Sequence, residues 1–135
     1  MDPASPLRLA ARVESVTRTA KVIIVNLEAA KNAPENSKEL CREMHAICDL
    51  LDFLNLALTK SENQDKHFTT PPSLKESISE FTSILDEMSI RVKRMGTFRL
   101  PWPFSKDENQ RFLTKIELYK TSFTTELSVT AAYKS

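Results

Sequence analysis

Apolar residues recur along this chain in steps of four and three, in four separate runs. The first takes in Leu9, Val13, Val16, Ala20, Ile23, Leu27 and Ala30; the second Leu40, Met44, Ile47, Leu51, Leu54 and Leu58. The third holds Leu74, Ile78, Phe81, Leu85, Met88, Val92 and Met95, and a looser fourth holds Phe112, Ile116, Tyr119, Phe123 and Leu127. A 4-3 step keeps side chains on one helical stripe, whereas a strand alternates every second residue. Each stripe covers about 20 residues, enough for a helix roughly 30–40 Å long. Polar stretches separate them: KNAPENS (31–37), KSENQDKHFTTPPS (60–73) and MGTFRLPWPFS (95–105).

Start and stop chemistry sits at the ends of these runs. Ser5 precedes Pro6 as an N-cap before a proline at the first helical position. Ser73 with Glu76 and Ser105 with Glu108 have capping-box spacing. Asn32 and Gly96 suit left-handed positions after a helix. The pattern predicts an all-α fold, an antiparallel up-and-down four-helix bundle with helices near 5–31, 34–60, 73–95 and 105–132. Residues 1–135 then make one domain around one core. The stripes account for most apolar residues as core; Leu7 and Val25 project near the polar side of the first helix.

Composition narrows the chemistry. A single glycine among 135 residues excludes the Gly-rich phosphate loop, the dinucleotide fingerprint and the serine-nucleophile elbow, each of which needs several. A net charge of +1 argues against a dedicated nucleic-acid binder. The longest uncharged aliphatic run, VIIV at 22–25, falls far short of a membrane span, and the N-terminus lacks the apolar core of a secretory signal. Cys41 and Cys48 stand roughly 10 Å apart along a helix, too far for a disulfide, and reduced thiols fit a cytoplasmic setting.

Cys41, His45 and Cys48, at i, i+4 and i+7, share one side of the second helix and have soft-ligand character. One helix rarely supplies three tetrahedral ligands, and packing beside Met44 and Ile47 explains the thiols; no metal or cofactor is expected. The other histidine, His67, falls in a polar loop. The carboxylates Glu39, Glu43, Asp49, Asp52, Asp86 and Glu87 lie beside basic residues or on outward faces, so no acid–base pair in a cleft is evident and no enzyme is expected.

One stretch stands out, RVKRMGTFRLPWPFSKDE at 91–108. Arg91, Lys93, Arg94, Arg99 and Lys106 pass before the next acid, Asp107, and Trp102 is clamped between Pro101 and Pro103. Its aromatics Phe98, Trp102 and Phe104 are expected to cap the open end of the bundle, with the cations forming a rim outside. Interfacial tryptophan and clustered cations also suit anionic lipid. On the first helix, Arg8, Arg12, Arg18, Lys21 and Lys31 against Asp2, Glu14 and Glu28 give a basic lean, compatible with a membrane surface or an ordinary outer helix.

The opening MDPASPLRLAARV, the AKVI of 20–23, the NAP turn at 32–34 followed by KELCREM, the prolines before the third helix and RLPWPFSKDENQRFLTKIELYKTSF (99–123) resemble the fungal HeLo-like N-terminal domain over essentially the whole chain. The resemblance implies a helical bundle at the N-terminus of a longer NACHT- or STAND-type receptor, related to the HeLo cell-death domain and to programmed cell death in innate immunity. It implies self-association on activation, contact with downstream domains of the same receptor, and a cytoplasmic protein that becomes peripheral at the plasma membrane. The membrane- or partner-contact residues expected on this view are Arg91, Lys93, Arg94, Arg99, Lys106, Leu7, Arg8 and Arg12, with anionic lipid but no nucleic acid as partner. The alternative is a protein–protein interaction bundle without membrane activity. Four cations and a glutamate between residues 8 and 21 disfavour the first helix as a simple span, at roughly 2.5 kcal/mol or more per central charge.

Overall fold

The structure is a computed structural model that describes residues 6–64, 72–93 and 101–134. Four helices occupy nearly all of it: α1 (Pro6–Glu28), α2 (Ser37–Gln64), α3 (Pro72–Lys93) and α4 (Lys106–Lys134). The four-helix bundle expected from the stripes is the fold observed, and every stripe from Leu9 to Phe123 within the described side chains supplies the core. Two predicted stripe members sit at its margins: Ala30 is half-buried against the core and Leu127 half-exposed.

The helices run alternately up and down, but not in chain order around the bundle. Glu28 meets His45 and Lys21 meets Asp52, so α1 and α2 are antiparallel. Ser73 meets Glu126 and Arg91 meets Glu108, so α3 and α4 are antiparallel as well. Arg12 reaches Ser79, while Asn26 and Lys93 line one groove, so α1 and α3 run parallel. Among the described residues α2 contacts α1 and α4 but not α3, and α1 does not contact α4. The order around the bundle is therefore α1, α2, α4, α3, with α2 and α3 across a diagonal.

Phe81 sits at the centre, fully buried, with its ring edge-to-face against Tyr119 (5.7 Å, 63°) and Phe123 (5.8 Å, 78°). Such pairs add about 0.5–1.5 kcal/mol beyond the area they bury. This cluster is why the looser stripe of α4 still holds: fewer positions, but aromatic ones.

Helix ends refine the predicted boundaries. α1 stops at Glu28 rather than near 31, because Ala30 donates to the Leu27 carbonyl (3.1 Å), tightening the last turn, and Asn32 then takes a left-handed φ of 54°. The left-handed Asn32 is the stop signal read in the sequence. α2 starts at Ser37 instead of near 34 because Pro34 and the turn Ser37 N–H to Pro34 carbonyl (2.9 Å) occupy the intervening residues. The Ser105–Glu108 capping box forms in full: Ser105 N–H to Glu108 Oε1 at 3.0 Å and Glu108 N–H to Ser105 Oγ at 3.1 Å. The box expected at Ser73 and Glu76 does not. Pro72 opens α3, which puts Ser73 inside the first turn, where its hydroxyl donates to Glu126 of α4 at 2.7 Å. Ser5, His67, Met95 and Gly96 lie outside the described residues.

Candidate functional site

The end of the bundle that gathers the C-termini of α1 and α3 with the N-termini of α2 and α4 holds the singled-out stretch. Trp102 is half-buried and packs against the core. Its backbone N–H donates to the Lys31 carbonyl (3.1 Å), which ties the α3–α4 connection to the α1–α2 turn. Its indole N–H donates to Asn109 Oδ1 (3.1 Å). A row of edge-to-face rings leads inward, Trp102 to Phe104 (5.6 Å, 89°) and Phe104 to Phe112 (4.8 Å, 67°). Trp102 and Phe104 thus pack at this end, Phe104 buried in the core; Phe98 lies outside the described residues.

The expected cationic rim is divided. Lys93 and Lys106 are exposed. Arg91 is instead held by Glu108 (2.8 Å), and the neighbouring Arg111 by Glu87. Arg94 and Arg99 lie outside the described residues. At the far end of α1, Arg8 is exposed and Arg12 donates to Ser79 Oγ (3.0 Å); the side chain of Leu7 is outside the described set. The structure therefore brings Arg91, Lys93 and Lys106 together at one end, and separates them from Arg8 and Arg12 by the length of the bundle.

On α2, Cys41 is half-buried and Cys48 buried, while His45 Nε2 stands 3.0 Å from Glu28 Oε1. Burial, reinforced at Cys41 by the Glu28 charge, pushes both thiols up from 9.0 to about 11. A protonated thiol is a poor ligand and a poor nucleophile. Among the described residues no group of three His, Cys, Asp or Glu side chains is placed to hold a metal ion. Beside this face a cleft of about 490 Å³ is lined by Leu27, Glu28, Lys38, Cys41, His45 and Trp102, among others. It is open to solvent, and among the described side chains that line it Glu28 and His45 make the one close polar pair.

A few large apolar side chains are left uncovered among the charged ones, Leu118 on α4 among them. Val22 and Val25 on α1 are 58% and 68% exposed, and Ile90 on α3 is 57% exposed. Val22 and Ile90 line a groove of about 670 Å³ between α1 and α3, floored by Ile23 and Val92 and ended by Asp86 and Lys93. On the outer side of α2, Phe53 is 61% and Leu56 54% exposed. Val25 stands out in the sequence. Phe53 and Leu56 are masked there by the richness of α2 in leucine, yet both fall off the 51–54–58 stripe, which is the signal that exposes them.

Among the described residues no helix is long and apolar enough to cross a membrane. No protein-family model, curated protein or solved structure matches the chain.

Proposed function

We infer that this chain is a non-enzymatic signalling and cell-death effector module of the HeLo-like type, working by self-association and by engagement of anionic membrane. The observation that carries the reading is the exposure of Val22, Val25, Phe53, Leu56 and Ile90 on the flanks of a bundle whose core is already complete without them. Exposed apolar side chains grouped on outer faces mark association surfaces; scattered singly they would not. The end of the bundle supplies the second part. Lys93 and Lys106 are exposed at the end that holds the proline-clamped Trp102, and Arg94 and Arg99 belong to the same stretch of chain. Each cation near an anionic surface contributes about 1 kcal/mol, falling within a Debye length.

Co-sedimentation with neutral and anionic vesicles at low and physiological salt tests the membrane part. The variant replaces Lys93, Arg94, Arg99 and Lys106 by Gln and keeps Arg91, whose partner Glu108 belongs to the α4 cap. Binding that requires anionic lipid, weakens with salt and is lost in the variant is the expected result; no binding at any salt overturns it. The second reading, a protein-interaction bundle without lipid contact, is favoured by the Arg91–Glu108 and Arg111–Glu87 pairs, which neutralise part of the basic end.

A further inference from the structure

The outer face of α2 carries Asp49, Phe53, Leu56 and Lys60 at i, i+4, i+7 and i+11, a single helical stripe whose members are all exposed. It reads acid, apolar, apolar, base. The groove between α1 and α3 reads the reverse: Lys93 at one end, Val22 and Ile90 in the middle, Asp86 at the other. Among the described residues none of Asp49, Lys60, Asp86 and Lys93 is held in an ion pair.

We propose that the α2 stripe of one copy docks in the α1–α3 groove of the next, with Phe53 and Leu56 against Val22 and Ile90, Asp49 facing Lys93 and Lys60 facing Asp86. The occupant is argued from this charge order, which pairs opposite signs in one orientation and opposes like charges in the reverse one. It rests on the self-association part of the reading above and gives it a surface.

Two consequences follow from the fold. α2 and α3 are diagonal, so the stripe points away from the molecule's own groove. The contact is head-to-tail, each copy keeps one unused face, and association does not stop at a dimer but continues into a ring or an open filament. The matched charge order also fixes polarity. Asp49 lies nearer the start of α2 and Lys93 at the end of α3, both towards the end that holds Trp102. Neighbouring bundles therefore run the same way, and the Lys93–Lys106 ends of all copies face one side.

Sedimentation velocity over a protein concentration series, with Phe53→Glu and Ile90→Glu, tests the contact. Both positions are exposed, and circular dichroism melting checks that each variant is folded. The wild type is expected to grow beyond dimers with rising concentration, and each variant to bind its own copies about tenfold or more weakly. Mixing the two variants is the discriminating step: Phe53→Glu keeps an intact groove and Ile90→Glu an intact stripe, so together they form a one-to-one heterodimer that grows no further. Asp49→Lys and Lys93→Asp are each expected to weaken association, and combining them in one chain to restore it. Variants that associate like the wild type, or a mixture that stays monomeric, overturn this interface while leaving self-association standing. A wild type that stays monomeric throughout removes both.

Discussion

The indole N–H of Trp102 donates to Asn109 Oδ1 across 3.1 Å, joining the connection before α4 to the second turn of that helix. Asn109 is 1% exposed, and its Nδ2 is the one buried side-chain nitrogen or oxygen among the described residues with no partner. The amide is thus held by one bond where it has capacity for several. Trp102 is the residue that makes this burial tolerable, and it also accounts for a tryptophan flanked by two prolines: the bond works only if the connection holds the ring in place.

Replacing Trp102 by Phe is therefore expected to cost about 1–3 kcal/mol in urea unfolding, since the whole amide of Asn109 is left buried without a partner. In the Trp102→Phe background, Asn109→Leu should recover part of that loss, because removing both polar partners costs less than removing one. A single variant within about 0.5 kcal/mol of wild type would show that the bond does not hold this corner.

Ser105 and Glu108 cap α4 reciprocally, and Ser105→Ala should cost about 1 kcal/mol. Glu108 adds a pH signature. The backbone N–H of Ser105, followed among the stabilising causes by the Arg91 guanidinium, holds its carboxyl below the ordinary 4.5, against an opposing push from burial. A carboxyl depressed in the folded state stabilises fully above its unfolded value and loses that contribution as pH falls through the folded one. Glu108→Gln keeps the capping acceptor but cannot titrate. The stability gap between wild type and this variant should be constant near neutrality and shrink from about pH 5 downward; a gap that is flat with pH would rule the effect out.

How far the sequence reaches is clearest at the two capping boxes, which look alike as strings. Ser105 follows Phe104 and Pro103 and caps α4; Ser73 follows Pro72, and the proline itself opens α3. Local spacing cannot tell which residue precedes the first helical φ. The stripes were legible because burial of one face repeats with the helical period. The order α1, α2, α4, α3 was not, since periodicity says which face is buried and not which helix covers it. The same reason hid the rim's neutralisation. Arg91 is 17 positions from Glu108 and Glu87 is 24 from Arg111, and only the antiparallel α3–α4 pairing brings each acid to its base.

The thiols give a test that bears on the α1–α2 packing. Burial is the main cause that lifts Cys41 and Cys48 from 9.0 to about 11; Glu28 adds to it at Cys41, and at Cys48 Lys21 works against it. At pH 8 a shift of that size leaves about 100-fold less thiolate than in an unfolded chain. Iodoacetamide should therefore label the native protein far more slowly than the urea-unfolded protein, with half-buried Cys41 ahead of buried Cys48. The sign for stability follows. An acid whose folded pKa is raised stabilises fully below its unfolded value, 9.0, and loses that contribution as pH climbs towards about 11. Replacing both cysteines by Ser should flatten this alkaline limb. If Cys41 reacts in the native state at the unfolded rate, the α1–α2 face is open in solution, and the Glu28–His45 contact beside it does not hold.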